Sequence, residues 1–349
     1  MLATLQHHET HHPPPVGDRP RRRGRQESPI VLSVHLFCSD DAFAEFGGRW
    51  RELVPGLQHI GVPHDRLLEP EEIAQIDIAA FTGDVWTSGT SPTFFKALLK
   101  APNLKWLHAA SAGTDAPVFQ RIMQNGVRLT NSAGALARPI AHSVIMQLLA
   151  LCRNGQTTAL EQSAKIWNPV PHLDVEGRRM AIVGIGEIGS EVARLAPHFG
   201  MTATGVRRRP RGDEPCETWP ISRLHELLPT IDDLVITAPL SDETRGMIGA
   251  VELALLPRGA HVINVGRGPV IDEAALIAAL QSGQIGGAAL DVFEVEPLPS
   301  DSPLWEMPNV IVTPHNSGNT AIAMRRTLDI FTDNLGRYVR GETLLNEVT

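Results

Sequence analysis

Three side chains in the C-terminal third of the sequence have the types and the setting to move a proton beside an anion. Arg267 stands in HVINVGRGPV, Glu296 in ALDVFEVEPLP and His315 in NVIVTPHNSG, each just after an apolar run. Histidine is the natural proton donor near neutral pH. A buried carboxylate beside it would raise its pKa and keep it protonated. An arginine offers a planar fork that fits a carboxylate. Singly, each has an ordinary structural use: Arg267 and Glu296 as surface charges, His315 as a hydrogen-bonding group. Together they suit the reduction of a carbonyl next to a carboxylate. That chemistry needs a proton for the developing alkoxide, cationic donors for the two oxygen groups, and a source of hydride.

A hydride source is indicated upstream, in AIVGIGEIGS at residues 181–190. An apolar strand runs into a turn punctuated by Gly184, Gly186 and Gly189, and a helix pattern follows. In a dinucleotide-binding turn the first glycine permits the tight bend. The second lets a pyrophosphate approach, and the third lets helix and strand pack closely. The N–H groups of Glu187 and Ile188 would then face the phosphates at the helix N-terminus. The other use of such a stretch is a tight βα turn without a ligand. About 20 residues on, NAD-binding chains place an acid on the ribose hydroxyls. This chain has GVRRRP there, and Arg207 and Arg208 would instead bind a 2′-phosphate. NADP(H) is therefore expected over NAD(H), with NAD(H) as the alternative; a solvated basic turn is the other use of these arginines.

The elements that must position these groups alternate. PIVLSVHLF (29–37), IDIAAFTG, LKWLHAASAGTD and VRLTNSAG read as strands ending in small-residue loops, with a helix pattern in SPTFFKALLKAP. RPIAHSVIMQLLALCRNG reads as a long helix with apolar residues too widely spread for one stripe. It is expected to be buried on more than one side, between domains or subunits. RRMAIVGIG, TATGVRRRP, DDLVITAPL, AHVINVGRG, GAALDVFEVEP and NVIVTPH follow as strands, interleaved with helix patterns, and AIAMRRTLDIFTDNLGRYVRGE closes the chain as a helix. Strands alternating with helices imply parallel βαβ units in two related α/β lobes. In an open parallel sheet, ligands bind outside the carboxyl ends of the strands, where Arg267, Glu296 and His315 would lie.

The bulk properties narrow the function classes. At 349 residues the chain suits two domains, and 42% hydrophobic with 20% charged residues is a soluble globular composition. A net charge of −8 disfavours nucleic acid. No apolar run is long enough to span a bilayer, and the N-terminus lacks the apolar core of a signal peptide. Cys38, Cys152 and Cys216 are too far apart for a disulfide framework or a zinc site, and suit a reducing compartment. No metal site is expected. Residues 1–28 read as a polar tail; His7, His8, His11 and His12 could bind a metal only adventitiously, and the arginines 21–23 and 25 would be solvated.

The motifs VGIGEIGSEVARLAPHFGMTATGVRR, INVGRGPVIDEAALIAAL, GAALDVFEVEPLP with SPLW, and NVIVTPHNSG occur in the order and spacing of the D-isomer-specific 2-hydroxyacid dehydrogenases, and residues 75–345 resemble that family. The resemblance implies an α/β fold of two Rossmann-like doubly wound lobes, the nucleotide-binding domain inserted into a discontinuous flavodoxin-like substrate domain. The expected boundaries are a 1–28 tail, a substrate domain at 29–133, a dinucleotide-binding domain at 134–318, and a helix at 319–349 returning to the substrate domain. It implies that Arg267, Glu296 and His315 are catalytic and that Asp291, with Thr237, Ala238, Pro239, Val265 and Gly266, lines the cofactor cleft. Ala112 and Gly113, and more loosely Ser88 and Gly89, would bind substrate with Arg267; Trp86 would contribute to selectivity or be an ordinary core aromatic. His142 stands where many relatives carry Glu. The sequence stops after GETLLNEVT, without the regulatory extension of many phosphoglycerate dehydrogenases. The function implied is NAD(P)H-dependent reduction of a small 2-keto acid, glyoxylate or hydroxypyruvate among them, to the D-2-hydroxy acid by a cytoplasmic homodimer. A corepressor or scaffold of the same fold, binding dinucleotide without turnover, is the alternative.

Overall fold

The computed structural model describes residues 33–348. The tail, its histidines and arginines, and the first residues of the strand expected at 29–37 lie outside them. Two parallel sheets organise the rest. The first has five strands in the order β2-β1-β3-β4-β5: β1 His35–Cys38, β2 Gln58–Gly61, β3 Ile78–Phe81, β4 Trp106–Ala109 and β5 Arg128–Asn131. That order is the flavodoxin-like one. Both faces are covered, so the inner strands are nearly continuous apolar runs rather than alternating with polar residues, His35 and His108 excepted. Phe37, Ala79 and Leu107 enter one core, while Leu36, Ile78 and Trp106 enter the other.

The second core of this lobe is completed from far along the chain. The helix Asp40–Leu53, capped by Ser39 Oγ accepting from Ala42 N at 3.2 Å, lies against the last helix, Ala321–Val339. Trp50 meets Phe331 edge-on at 5.0 Å and donates to Thr332 Oγ1 at 2.8 Å. Beyond that helix, Val348 N donates to Leu129 O, and Arg128 pairs with Glu347 at 2.6 Å. Within this core His108 is fully buried between Thr130 Oγ1 (2.8 Å from Nδ1) and Ser132 Oγ (3.0 Å from Nε2). Burial drives its pKa down to about 3, so the ring is neutral.

The second sheet has seven parallel strands in the order β12-β11-β10-β9-β6-β7-β8: β6 Arg179–Val183, β7 Thr202–Arg207, β8 Thr218–Pro220, β9 Asp233–Ile236, β10 Ala260–Asn264, β11 Ile285–Leu290 and β12 Val310–Val312. This is the doubly wound Rossmann order with one further edge strand. The expected long helix runs from Ala137 to Cys152 and ends there. Ile140, Val144, Leu148 and Leu151 pack on the sheet. Within the one chain its buried face includes Ile145, Gln147 and Cys152 as well, while Met146 and His142 are exposed. Asn154, with φ +51°, turns the chain into the helix Gly155–Ala164, which buries nothing among the described residues.

At the amino-terminal end of this sheet, Arg178 grips Asp233 through Nε (2.9 Å) and Nη2 (2.6 Å), with His261 Nδ1 3.2 Å from the same carboxylate. The Arg178 and Asp233 side chains are 14% and 0% exposed. At the other end the strand order reverses between β6 and β9, and the crevice at this switch point is where the chemistry gathers.

Candidate active site

The floor of the crevice is made of backbone. Gly184, at φ +103°, takes a conformation that side chains rarely adopt, and a Cβ there would lie 2.6 Å from Ala238 N. A Cβ on Gly189 would lie 2.2 Å from the Gly184 carbonyl oxygen, and one on Gly266 2.7 Å from the Ala238 carbonyl oxygen. Thr237 Oγ1 donates to the Gly184 carbonyl, and Val265 and Ala238 are buried beneath. The loops after β6, β9 and β10 thus touch main chain to main chain.

Gly186 differs from its neighbours. It is extended, it caps the helix Glu187–Leu195 without a side-chain bond, and a Cβ there would meet nothing within 4 Å. The open space lies over the first turn, where Ser190 is the first residue to donate back into the helix. A helix N-terminus with unpaired N–H groups and a glycine facing open space is a cradle for a pyrophosphate. The residues present therefore fit a dinucleotide.

At the ribose end the arginines are not free solvated charges. Arg207 is mostly buried and donates through Nη1 to Glu214 at 3.0 Å. The backbone N–H groups of Arg211 and Gly212 and the Arg207 guanidinium hold the Glu214 carboxyl down at about 2. Arg208 pairs with Glu243, on the loop after β9, and both are exposed. Pro239 is exposed on the same loop. Basic side chains therefore stand beyond the carboxyl end of β7, and the Arg208–Glu243 pair reaches across β6 to the loop after β9.

Arg267 follows β10, and Glu296 and His315 follow β11 and β12. His315 Nδ1 lies 2.8 Å from Glu296 Oε2, and Glu296 Oε1 accepts from Phe293 N at 3.1 Å. Burial raises the Glu296 pKa, but the hydrogen bond and charge of His315 outweigh it, so the carboxyl sits below its ordinary range. His315 has φ +50°. Its loop is held by Asp291, which is 1% exposed and accepts from Thr313 Oγ1 (2.6 Å), Asn316 N (3.0 Å), Ser317 N and Ser317 Oγ. The Asp291 carboxylate is thus occupied in seating the histidine loop. Trp86, from the other lobe, meets the His315 ring edge-on at 6.4 Å between centroids and is 54% exposed, so it is not a core aromatic.

The loop after β4 faces this set. The carbonyls of Ala112 and Gly113 accept from Asn131 Nδ2 and Ser111 Oγ, while their N–H groups make no hydrogen bond among the described residues. Gly113 lies directly against Arg267. Ser88 and Gly89 end the short helix Gly83–Thr87; the Ser88 hydroxyl bonds locally to Val85 O and Thr90 Oγ1, and no hydrogen bond ties either residue to Arg267. Asp115, Glu214 and Glu243 were not singled out by sequence. Asp115 pairs with Arg267 across 152 residues, and only the loop SAGTD, with a carboxylate beside its small residues, offered a signal.

Comparison with known proteins agrees with this geometry. Residues 145–317 match the family model for the D-isomer specific 2-hydroxyacid dehydrogenase, NAD binding domain. The glyoxylate/hydroxypyruvate reductase B of Salmonella typhi is 35% identical over 293 residues, covering 81% of this chain and 90% of that protein. The D-isomer specific 2-hydroxyacid dehydrogenase of Xanthobacter autotrophicus Py2, solved with NADPH and MES, is similar in fold (TM-score 0.72, 32% identity, 91% of this chain and 98% of that one). So is the NADPH-dependent glyoxylate/hydroxypyruvate reductase of Sinorhizobium meliloti, solved with NADP and sulfate (TM-score 0.72, 29% identity, 90% and 98%). The sheet order, the glycine turn and the likeness along nine-tenths of the chain have one common explanation: this chain belongs to the family of D-isomer-specific 2-hydroxyacid dehydrogenases.

Proposed function

We propose that the protein reduces a small 2-keto acid, of the glyoxylate or hydroxypyruvate kind, to its D-2-hydroxy acid with NADPH, and with NADH less well. The observation that carries this reading is the His315–Glu296 pair at 2.8 Å, standing with Arg267 at successive strand ends beside the glycine cradle. Gly184, Gly186, Glu187, Ile188 and Gly189 would hold the pyrophosphate, and Ala238, Pro239, Val265, Gly266 and Asp291 would line the cleft. Arg207 and Arg208 would take the 2′-phosphate, Glu243 yielding Arg208 to it. A reduced nicotinamide bound there would supply the hydride that the carbonyl carbon needs.

The side chains do the rest. Glu296 accepts from His315 Nδ1–H, so in the imidazolium the proton free to transfer is the one on Nε2. That proton passes to the carbonyl oxygen as it becomes an alcohol, and His315 is left neutral. Arg267 holds the substrate carboxylate with the free N–H groups of Ala112 and Gly113. Trp86 narrows the entrance over His315, which supports a small substrate. Ser88 and Gly89 border the same entrance.

The proposal includes a homodimer. Leu160, Ile166, Trp167 and Leu173 are exposed along one segment, Trp167 by 94%, and a second copy would cover them. Light scattering of the purified protein tests this, and a monomer would refute it. The three thiols, Cys38 and Cys152 buried and Cys216 partly so, suit the cytoplasm. We take the lobes to divide at 29–133, 134–318 and 319–349. The test of function is NADPH oxidation at 340 nm against a panel of 2-keto acids. Dinucleotide binding without turnover would overturn it in favour of a sensing scaffold.

A further inference from the structure

We infer that Asp115 is a positioning residue for Arg267: the five-stranded lobe supplies a carboxylate that holds the guanidinium by one edge and leaves its tip free for the substrate. The inference rests on the function proposed above.

A guanidinium has five N–H donors in a fixed plane. Asp115 takes two from one edge: Nε lies 3.1 Å from both carboxylate oxygens, and Nη2 lies 2.8 Å from Oδ1. Nη1 donates to the Gly266 carbonyl at 2.8 Å. One N–H on Nη1 and one on Nη2 remain, side by side at the tip, which is the paired geometry a carboxylate accepts. Held on two sides, the plane cannot rotate about its long stem. The substrate meets a fork already oriented, rather than one it must order.

The loop that carries Asp115 supports the same seat. A Cβ on Gly113 would fall 1.5 Å from Arg267 Nη2, so the guanidinium sits hard against the loop whose Ala112 and Gly113 N–H groups make no hydrogen bond among the described residues. Donors from both lobes therefore converge on one place. Among the described residues, Arg267–Asp115 is also the one ion pair joining the two sheets. Burial raises the Asp115 pKa, but the Arg267 hydrogen bond and charge more than offset it, so the carboxyl sits below its ordinary range. The pair is partly exposed, 27% and 39%, so the held guanidinium borders open space that a ligand can enter.

The experiment is steady-state kinetics of Asp115→Asn and Asp115→Glu against the wild type, at saturating NADPH with glyoxylate or hydroxypyruvate varied. Asp115→Asn keeps the shape and loses the charged two-oxygen acceptor. The KM for the keto acid is expected to rise about tenfold or more, the worth of a charge-assisted bond. The KM for NADPH and the melting temperature should stay at wild-type values, and Asp115→Glu should recover part of the loss. A keto-acid KM in Asp115→Asn that is unchanged overturns the inference. A lower one also overturns it, because Asp115 would then be a competitor that substrate displaces. A melting temperature and both KM values shifting together would make Asp115 a general brace between lobes, and would also overturn it. Were Asp115→Asn to fail to fold, Gly113→Ala would crowd Arg267 Nη2 out of the same seat and should raise the same KM; no rise would overturn the inference. A wild type inert toward every 2-keto acid would sink the proposed function itself, whereas turnover with an unaltered Asp115→Asn would sink only the role of Asp115.

Discussion

The two ends of the seven-stranded sheet carry the same kinds of charged groups in opposite conditions. At the amino end, Asp233 and His261 are buried and Arg178 nearly so, and Asp233 is gripped on both oxygens. At the carboxyl end, Arg267, Asp115, Glu296 and His315 are a quarter to two-fifths exposed, with guanidinium and imidazole N–H capacity unused. Residue type does not separate structural charge from chemical charge. Leftover hydrogen-bonding capacity facing solvent does. A closed network holds strands together, and an open one waits for a ligand.

The sharpest way to break the contrast is to cut one residue from each end. His315→Ala should lower kcat by about 10²–10⁴, the usual scale of general-acid catalysis, and leave the melting temperature within a few degrees. Stopped-flow and steady-state rates measure this, and undiminished turnover would remove His315 from the role. Arg178→Ala should do the reverse. It strands the Asp233 carboxylate in the interior at a cost of about 3–5 kcal/mol of stability, while kcat of the folded fraction stays near wild type. Denaturant titration with activity on the same samples distinguishes the two ends.

A smaller effect concerns the arginine already held by a carboxylate. Arg207→Gln should raise the KM for NADPH about 10–100-fold and that for NADH by less than threefold, since a charged hydrogen bond to phosphate is at stake. Equal losses for both cofactors would show that Arg207 merely anchors its loop through Glu214.

The smallest effect sharpens the comparison from inside the other lobe. His108 is buried with both ring nitrogens satisfied by hydroxyls, and its folded pKa of about 3 lies below the unfolded value. The unfolded chain therefore takes up the proton first. Stability falls as pH drops from about 6.5 toward 3, by about 1.4 kcal/mol per unit from this one residue. Replacing His108 with Gln should shrink the stability loss between pH 6.5 and 5 by about 2 kcal/mol. An unchanged pH slope would mean that the ring is protonated inside the fold.

What was legible in the sequence follows from how local each signal is. The glycine turn, Arg267 and Glu296 each follow a buried parallel strand, and His315 follows the apolar edge strand β12; all four strands show as apolar runs. Edge strands β2 (QHIG) and β8 (TWP) have no such run and were not foreseen, nor was the helix at 40–53, whose middle carries the helix-weakening pair Gly47 and Gly48. GVRRRP announced its charge but not its partners, because Glu214 and Glu243 reach it through folding. Asp291 drew notice through its motif. Its use in seating the His315 loop, through Thr313, Asn316 and Ser317, depends on backbone N–H groups that no pattern of side chains records.

The helix at 321–339 closes a core begun near residue 36, through a Trp50–Thr332 bond spanning 282 positions. During synthesis the seven-stranded lobe, continuous in sequence, is complete while the first lobe still lacks its cover over Trp50 and Trp106. Long-range closure of this kind is slow and leaves apolar surface unprotected. The first lobe is therefore the portion of the nascent chain that a chaperone would recognise, and its exposure ends only when the final helix has left the ribosome.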